Sequence, residues 1–206
     1  MIQNVLVACE ESQVITKEFR SRGIKAFSCD IVPCSGGFPE WHIQDDVLNV
    51  IDFKWDLIIA HPPCTRLCNS GQRWLYTKDP IYNQIKKDEQ LKAIDFFLKF
   101  TDLKCDHVAI ENPLGIMSTL YRSPDQIIQP HYFYPDTDMK TTCLWLKGLP
   151  KLFRNQYLSK ELITQNNWKA VFNGKHYAWN DPEVARLRSK TYPGVAYQIA
   201  SQWSYI

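Results

Sequence analysis

The stretch Trp55-Asp56-Leu57-Ile58-Ile59-Ala60-His61-Pro62-Pro63-Cys64 decides the fold. Its aliphatic residues run without a polar break, as a strand buried on both faces requires; a strand with one wet face would alternate. Two prolines follow that cannot donate to a sheet ladder, so the strand ends there on a stiff backbone. Outward from this strand, read as residues 55–61, similar short runs occupy 4–9, 25–29, 107–111 and 141–147. Residues 13–22 between the first two carry a helical pattern closed by Gly23, with Ser12 as the expected N-cap. Residues 82–100 are the longest periodic stretch, with Ile85, Leu91, Ile94, Phe97, Leu98 and Phe100 predicted on one face against a sheet. Strands alternating with helices predict an α/β domain: a doubly wound, Rossmann-like, mostly parallel sheet. The rhythm breaks over 150–190, where Asn166, Asn167, Asn173, Gly174, Asn180, Asp181 and Pro182 are turn signals and a loop-rich insertion is expected. Tyr192-Pro193-Gly194 then reads as a tight turn feeding a final helix over 195–203.

With 206 residues, 45% hydrophobic and 22% charged, the chain is expected to bury one core and to form a single domain. Its apolar runs fall far short of the about 20 residues a membrane helix needs. No basic leader precedes the first strand, so a cytoplasmic location is expected. Seven cysteines, an odd number, point to free thiols in that setting. Cys29 and Cys34, and Cys64 and Cys68, are spaced too widely for the usual zinc pairs, and no metal is expected. A net charge of +2 neither requires nor excludes nucleic acid.

Open parallel sheets bind ligands beyond the carboxyl ends of their strands. Those ends hold Cys9-Glu10-Glu11-Ser12, Cys29-Asp30-Ile31, His61-Pro62-Pro63-Cys64 and Glu111-Asn112-Pro113. An acid at Asp30 suits the hydroxyls of a ribose, and Asp46 suits an amino group of a purine; either is equally a helix cap or a turn. Cys64 is a candidate nucleophile if cations such as Arg66 and Arg73 lower its pKa, and otherwise an inert small residue. Glu111, ending the neighbouring strand, is expected to be partly desolvated with a raised pKa, able to hold a proton for a ring nitrogen.

Pro62-Pro63-Cys64 and Glu111-Asn112-Pro113 resemble the Pro-Cys and Glu-Asn motifs of DNA cytosine-5 methyltransferases. The likeness is closer to short methyltransferase-like proteins of phages, through Ala8-Cys9-Glu10-Glu11-Ser12-Gln13, Ile127-Ile128-Gln129-Pro130, the stretch 142–150 and Arg188-Ser189-Lys190-Thr191-Tyr192-Pro193-Gly194. The resemblance implies S-adenosylmethionine as cofactor, held by Cys9, Glu10, Glu11, Ser12, Asp30, Ile31, Asp46 and Pro62. It implies Cys64, Glu111 and Asn112 as catalytic residues. The thiolate of Cys64 would add to carbon 6 of cytosine while Glu111 binds ring nitrogen 3 and the exocyclic amine. Carbon 5 would then take the methyl group, and loss of its proton would expel the sulfur. A base in duplex DNA must first leave the stack.

Three departures from the family pattern shape the remaining expectations. Glu10-Glu11-Ser12 replaces the glycine-rich cofactor turn, although a helix N-terminus there would still suit the cofactor carboxylate. No Gln-x-Arg-x-Arg element follows Asn112, which leaves Arg66, Arg73, Lys140, Lys147 and Arg188 as candidates for the substrate side. The segment before the final helix is short for a recognition domain, yet it mixes Arg154, Lys160, Lys169, Lys175, Arg186, Arg188 and Lys190 with Tyr157, Trp168, Phe172, Tyr177 and Trp179, a pattern suited to single strands or flipped bases. Three functions fit these features: methylation of cytosine in duplex or single-stranded DNA, modification of a free cytidine nucleotide, or a non-catalytic protein that binds nucleic acid or blocks a host defence.

Overall fold

The buried strand over Leu57–Ala60 lies at the centre of one seven-stranded sheet. In chain order the strands are β1 (Asn4–Ala8), β2 (Lys25–Asp30), β3 (His42–Gln44), β4 (Leu57–Ala60), β5 (Val108–Pro113), β6 (Gln126–Ile128) and β7 (Thr142–Lys147). They stand in the order β3-β2-β1-β4-β5-β7-β6. All pairings from β3 to β5 are parallel, and β7 alone runs against its neighbours. The computed structural model describes residues 1–69, 78–164, 171–172, 175–176, 178 and 182–206.

Side chains alternate across the sheet with period two, and both faces are apolar because both are covered. Val5, Val7, Leu57, Ile59, Ala109 and Leu144 face helix α1 (Val14–Arg20) and the final helix, meeting Ile15, Phe19, Ala196, Ile199 and Trp203. On the other face Leu6, Ala8, Ile58, Ala60, Val108, Ile110 and Trp145 pack with Phe97 and Phe100 at the end of helix α2 (Pro80–Lys99). Three further α-helices follow among the described residues: the one-turn α3 (Met117–Leu120), α4 (Pro182–Ser189) and α5 (Pro193–Trp203). No helix of the described residues is long and apolar enough to cross a membrane.

The doubly wound architecture is as expected, with three local differences. Helix α2 starts at Pro80 because Asp79 caps it, its carboxylate accepting from the N–H groups of Ile81 and Tyr82 at 2.9 and 3.1 Å. The predicted apolar face of α2 is only partly used: Phe97 and Phe100 are buried, whereas Ile85, Leu91 and Leu98 are exposed. A 20-residue helix is about 30 Å long, while the four residues of β4 span about 13 Å, so the N-terminal part of α2 extends past its strand. Strands β3 and β6 were too short, at three residues each, to show a period in sequence. Within 150–190 the described residues include a run without regular secondary structure over 151–159, the antiparallel pair β8 (Val171–Phe172) and β9 (Lys175–His176), and α4.

Candidate functional site

The parallel strands bring their carboxyl ends to one edge, and the turn after β1 lies in its middle. Cys9 and Gln13 both have left-handed backbone, with φ of 59° and 57°. The turn therefore keeps a glycine-like shape without glycine, at a cost of about 1 kcal/mol for each side chain so placed. Neighbouring groups compensate. The N–H groups of Cys9 and Glu10 both donate to the Cys29 carbonyl, at 2.8 and 3.2 Å. The Gln13 amide donates to the Phe38 carbonyl and accepts from the Phe38 N–H, at 2.8 and 3.1 Å. Gly36 is required for this closure, since a Cβ there would lie 2.4 Å from the Gln13 Cβ.

Ser12 does not cap α1. The carboxylate of Glu10, only 4% exposed, accepts from the Ile15 N–H at 2.7 Å, the Thr16 N–H at 3.3 Å and the Thr16 hydroxyl at 2.7 Å. Glu10 reaches these donors because left-handed Gln13 folds the chain back over the helix start. The N-terminus of α1, expected to suit the carboxylate of a cofactor, is thus already occupied by a side chain of the protein. Burial pushes the Glu10 carboxyl up, against the bonds from Thr16 and Ile15 and the charge of His61.

Asp30 and Asp46 stand at the ends of β2 and beyond β3. Asp30 accepts from the Val32 N–H at 3.2 Å, and Asp46 caps the short 3-10 turn Val47–Asn49 through the Leu48 N–H at 3.0 Å. Both acids reach Cys9, whose thiol is raised first by burial and then by Asp30, Cys29 and Asp46. Cys29 is pushed up to about 11 by burial and the nearby carboxylates. Ile31 is 73% exposed beside them. Glu11 adds a buried Oε1 without a hydrogen-bond partner among the described residues.

On the other side of β1 the loop after β4 is locked from two directions. The buried Asn112 amide donates to the Pro62 carbonyl at 2.7 Å, so Asn112 positions the Pro62-Pro63-Cys64 turn. The Cys64 carbonyl accepts from the N–H groups of Leu67 and Cys68, both at 2.9 Å, which folds the two cysteines together. Gly115 packs against this turn so closely that a Cβ would sit 2.0 Å from the Leu67 carbonyl oxygen. The Cys64 thiol is held far above its ordinary range, first by its hydrogen bond with Cys68, then by burial and the charges of Cys68 and Glu111; Lys140 acts the other way. Arg66 directs its guanidinium to Glu89 on α2, at 2.7 Å. Arg73 lies outside the described residues.

Glu111 does not stand alone at the end of β5. His61 Nδ1 lies 3.0 Å from its Oε2, with side chains 14% and 23% exposed respectively. Burial by itself would raise the Glu111 carboxyl, but the His61 hydrogen bond, the His61 charge and Lys140 outweigh it, and the net shift is downward. The expected raised pKa is corrected on this point, because a partner absent from the sequence pattern compensates for burial. His61, Glu111, Lys140 and Thr142 line a small, partly open pocket together with Ile128, Leu144, Tyr192, Val195 and Ile199. Lys140 is tethered there, donating to the Arg188 carbonyl at 3.1 Å and standing 5.7 Å from the centre of the Tyr192 ring. Arg188 itself is exposed. Lys147 does not reach this edge, since its Nζ donates to the Leu103 carbonyl at 2.6 Å near the start of β5.

Of the basic and aromatic residues before α5, Arg154 is held between the rings of Tyr132 and Tyr157, 4.3 and 4.2 Å from their centres. Trp168, Lys169, Tyr177 and Trp179 lie outside the described residues. Among the described residues no group of three or more His, Cys, Asp or Glu is arranged to hold a metal ion. His61 is the residue of this edge for which residue types alone indicated no role, although it stood in the strand-end stretch His61-Pro62-Pro63-Cys64. Glu10, expected to hold the cofactor, is instead bonded to the start of α1.

The sheet order and its single reversed strand define the fold as the Rossmann-like α/β fold found in methyltransferases. The chain is similar in structure to the methyltransferase EhMeth of Entamoeba histolytica, with a TM-score of 0.51 and 16% identity over 77% of this chain and 58% of that one. A second likeness, to the Dnmt2 methyltransferase of S. pombe, has a TM-score of 0.42 and 13% identity, covering 72% and 50%. The chain thus spans a little over half the length of the first and half that of the second. No family model and no curated protein matches the sequence.

Proposed function

We propose that the chain is an S-adenosylmethionine-dependent methyltransferase acting on carbon 5 of cytosine in DNA. One observation carries this reading: Cys64, on the loop after β4, and Glu111, in the adjacent strand β5, are brought to one sheet edge, where the Asn112 amide ties the loop to β5 and the charges of Glu111 and Lys140 both act on the thiol. A thiol that adds to carbon 6 and a carboxylate that binds the amino edge of the same ring need this proximity.

The residues fit the adenosine part of the cofactor, with Asp30 for the ribose, Asp46 at the purine end and the exposed apolar Ile31 beside them. S-adenosylmethionine supplies the methyl group when bound. The amino-acid end of the cofactor cannot use the N-terminus of α1 in this arrangement, because Glu10 fills it. Glu111 accepts a hydrogen bond from the base, Asn112 fixes the loop that carries Cys64, and Lys140 favours the thiolate. Addition to carbon 6 requires the Cys64 proton to leave and the Cys64–Cys68 contact to open.

The filled helix N-terminus and the raised thiol favour a second reading, a non-catalytic protein that keeps the methyltransferase fold to bind nucleic acid. Nucleoside mass spectrometry after incubation with S-adenosylmethionine and duplex DNA, single strands or dCMP separates the readings. Methylated cytosine in DNA, lost in Cys64→Ser, is the expected result. A methyl group gained only by dCMP makes the substrate a free nucleotide. No transfer to any of them, with no cofactor binding by calorimetry, overturns the enzyme.

A further inference from the structure

We propose that His61 is the positioning residue of this site, its Nδ1–H fixing the Glu111 carboxylate toward the pocket and its buried Nε2 receiving a donor group of the bound base. The first half stands on geometry alone, and the second rests on the cytosine reading above.

The sheet dictates the pairing. Ala60 is in register with Ile110, so His61 and Glu111 are the next residues on neighbouring parallel strands. The His61 N–H donates to the Ala8 carbonyl at 3.0 Å, which continues the strand one residue further. Its side chain consequently leaves on the face of Ile59, the face on which Glu111 follows Ala109. A carboxylate accepts only, so Nδ1 carries the hydrogen, and in the neutral form of the ring, the form that can receive a donor, Nε2 keeps a lone pair. That atom is buried and has no hydrogen-bond partner among the described residues, on a ring that lines the pocket. The groups whose charge reaches this pair are Glu10 from the β1 turn, Lys140 from the segment before β7 and the Cys64 thiol.

An unpartnered buried acceptor on a ring that lines a pocket favours a ligand that brings an N–H to it. The exocyclic amine of cytosine does so. A uracil or thymine carbonyl at that point would set two lone pairs against each other. His61 thereby adds an amino-against-carbonyl selection to the carboxylate of Glu111.

The test of the first half needs neither cofactor nor substrate. The Glu111 carboxyl is followed by carbon-13 NMR across pH in glutamate-labelled protein and assigned through Glu111→Gln. In His61→Asn the amide nitrogen stands where Nδ1 was, and the titration midpoint is expected to stay below the ordinary carboxylate range. In His61→Leu, or in His61→Gln if the leucine variant does not fold, it is expected to move upward. An unchanged midpoint in the leucine or glutamine variant, or an asparagine variant that shifts with them, overturns the positioning role whether or not methyl transfer is found. For the second half, calorimetry with CMP and UMP should show a preference for CMP that His61→Asn loses. No preference, or no binding, overturns the role of Nε2.

Discussion

Replacing Glu10 by alanine tests the turn that departs most from its expected form. The substitution strands the Ile15 N–H, the Thr16 N–H and the Thr16 hydroxyl, all now held by one carboxylate at 2.7 to 3.3 Å. Loss of a helix cap costs about 1 kcal/mol. Leaving a buried donor unpaired costs about 1–3 kcal/mol more, because Glu10 is only 4% exposed and water does not reach its place freely. Relief of a desolvated carboxyl offsets part of this. The net loss is expected to be about 2–4 kcal/mol, read as a lower urea midpoint at unchanged m-value. Glu10→Gln keeps one acceptor oxygen but turns an NH2 toward a donor, and should lose about half as much. Ser12→Ala is the control, with an expected change below about 0.5 kcal/mol, since α1 receives no cap from its neighbour. A Glu10→Ala variant as stable as the wild type, or a Ser12→Ala variant that is the weaker of the two, refutes the cap.

Three shorter tests follow from the same edge. Cys68→Ala removes the largest influence that raises the Cys64 thiol, so alkylation of Cys64 by iodoacetamide at pH 8, read by peptide mass spectrometry, should accelerate; an equal or slower rate contradicts the pairing. Gly115→Ala forces apart two segments joined by the Ile116 N–H to Leu67 carbonyl bond of 2.9 Å, and should cost about 1–3 kcal/mol in urea unfolding while exposing the Cys64 loop to faster hydrogen exchange. Asp136 accepts from the Val195 N–H at 3.1 Å at the start of α5, and burial pushes its carboxyl up to about 6. The native state therefore holds this proton longer than the unfolded chain, whose aspartate titrates near about 4, and the stability contributed by Asp136 falls as pH rises through that interval. Asp136→Asn should remove this part of the pH slope in thermal unfolding, and an unaltered slope would contradict it.

The parts of the fold legible in sequence were those fixed by local pattern. The apolar run of β4 and its two prolines marked both a central strand and its end. Asp30, Cys64 and Glu111 could be placed together at one edge because strand ends in a parallel sheet share it, whatever the strand order. Contacts made across the sheet were not legible. Arg66 stands two residues from Cys64 in sequence, yet its charge goes to Glu89 on α2. Ser12 had the residue type of a cap, but left-handed Gln13 turned the chain so that Glu10 arrived instead. Asn112 was legible as a companion of Glu111, but its bond to the Pro62 carbonyl was not. For Arg66 and Asn112 the deciding partner lies on another element, and for Ser12 the backbone turn at Gln13 decides; residue type alone gives neither.

Glu10 and Glu111 show how one residue type takes two states a few strands apart. Both carboxyls are covered by protein, which disfavours the charge, and both feel His61. Apart from that shared influence, Glu10 has only neutral donors, the backbone of α1 and the Thr16 hydroxyl, and its pKa moves up. Glu111 has the ring directly hydrogen-bonded and Lys140 beside it, and its pKa moves down. Environments that push like groups in opposite directions divide their tasks. The acid under the helix is bound into the fold, whereas the acid at the pocket keeps its charge for whatever enters, so substitutions at the two positions should separate folding from ligand binding.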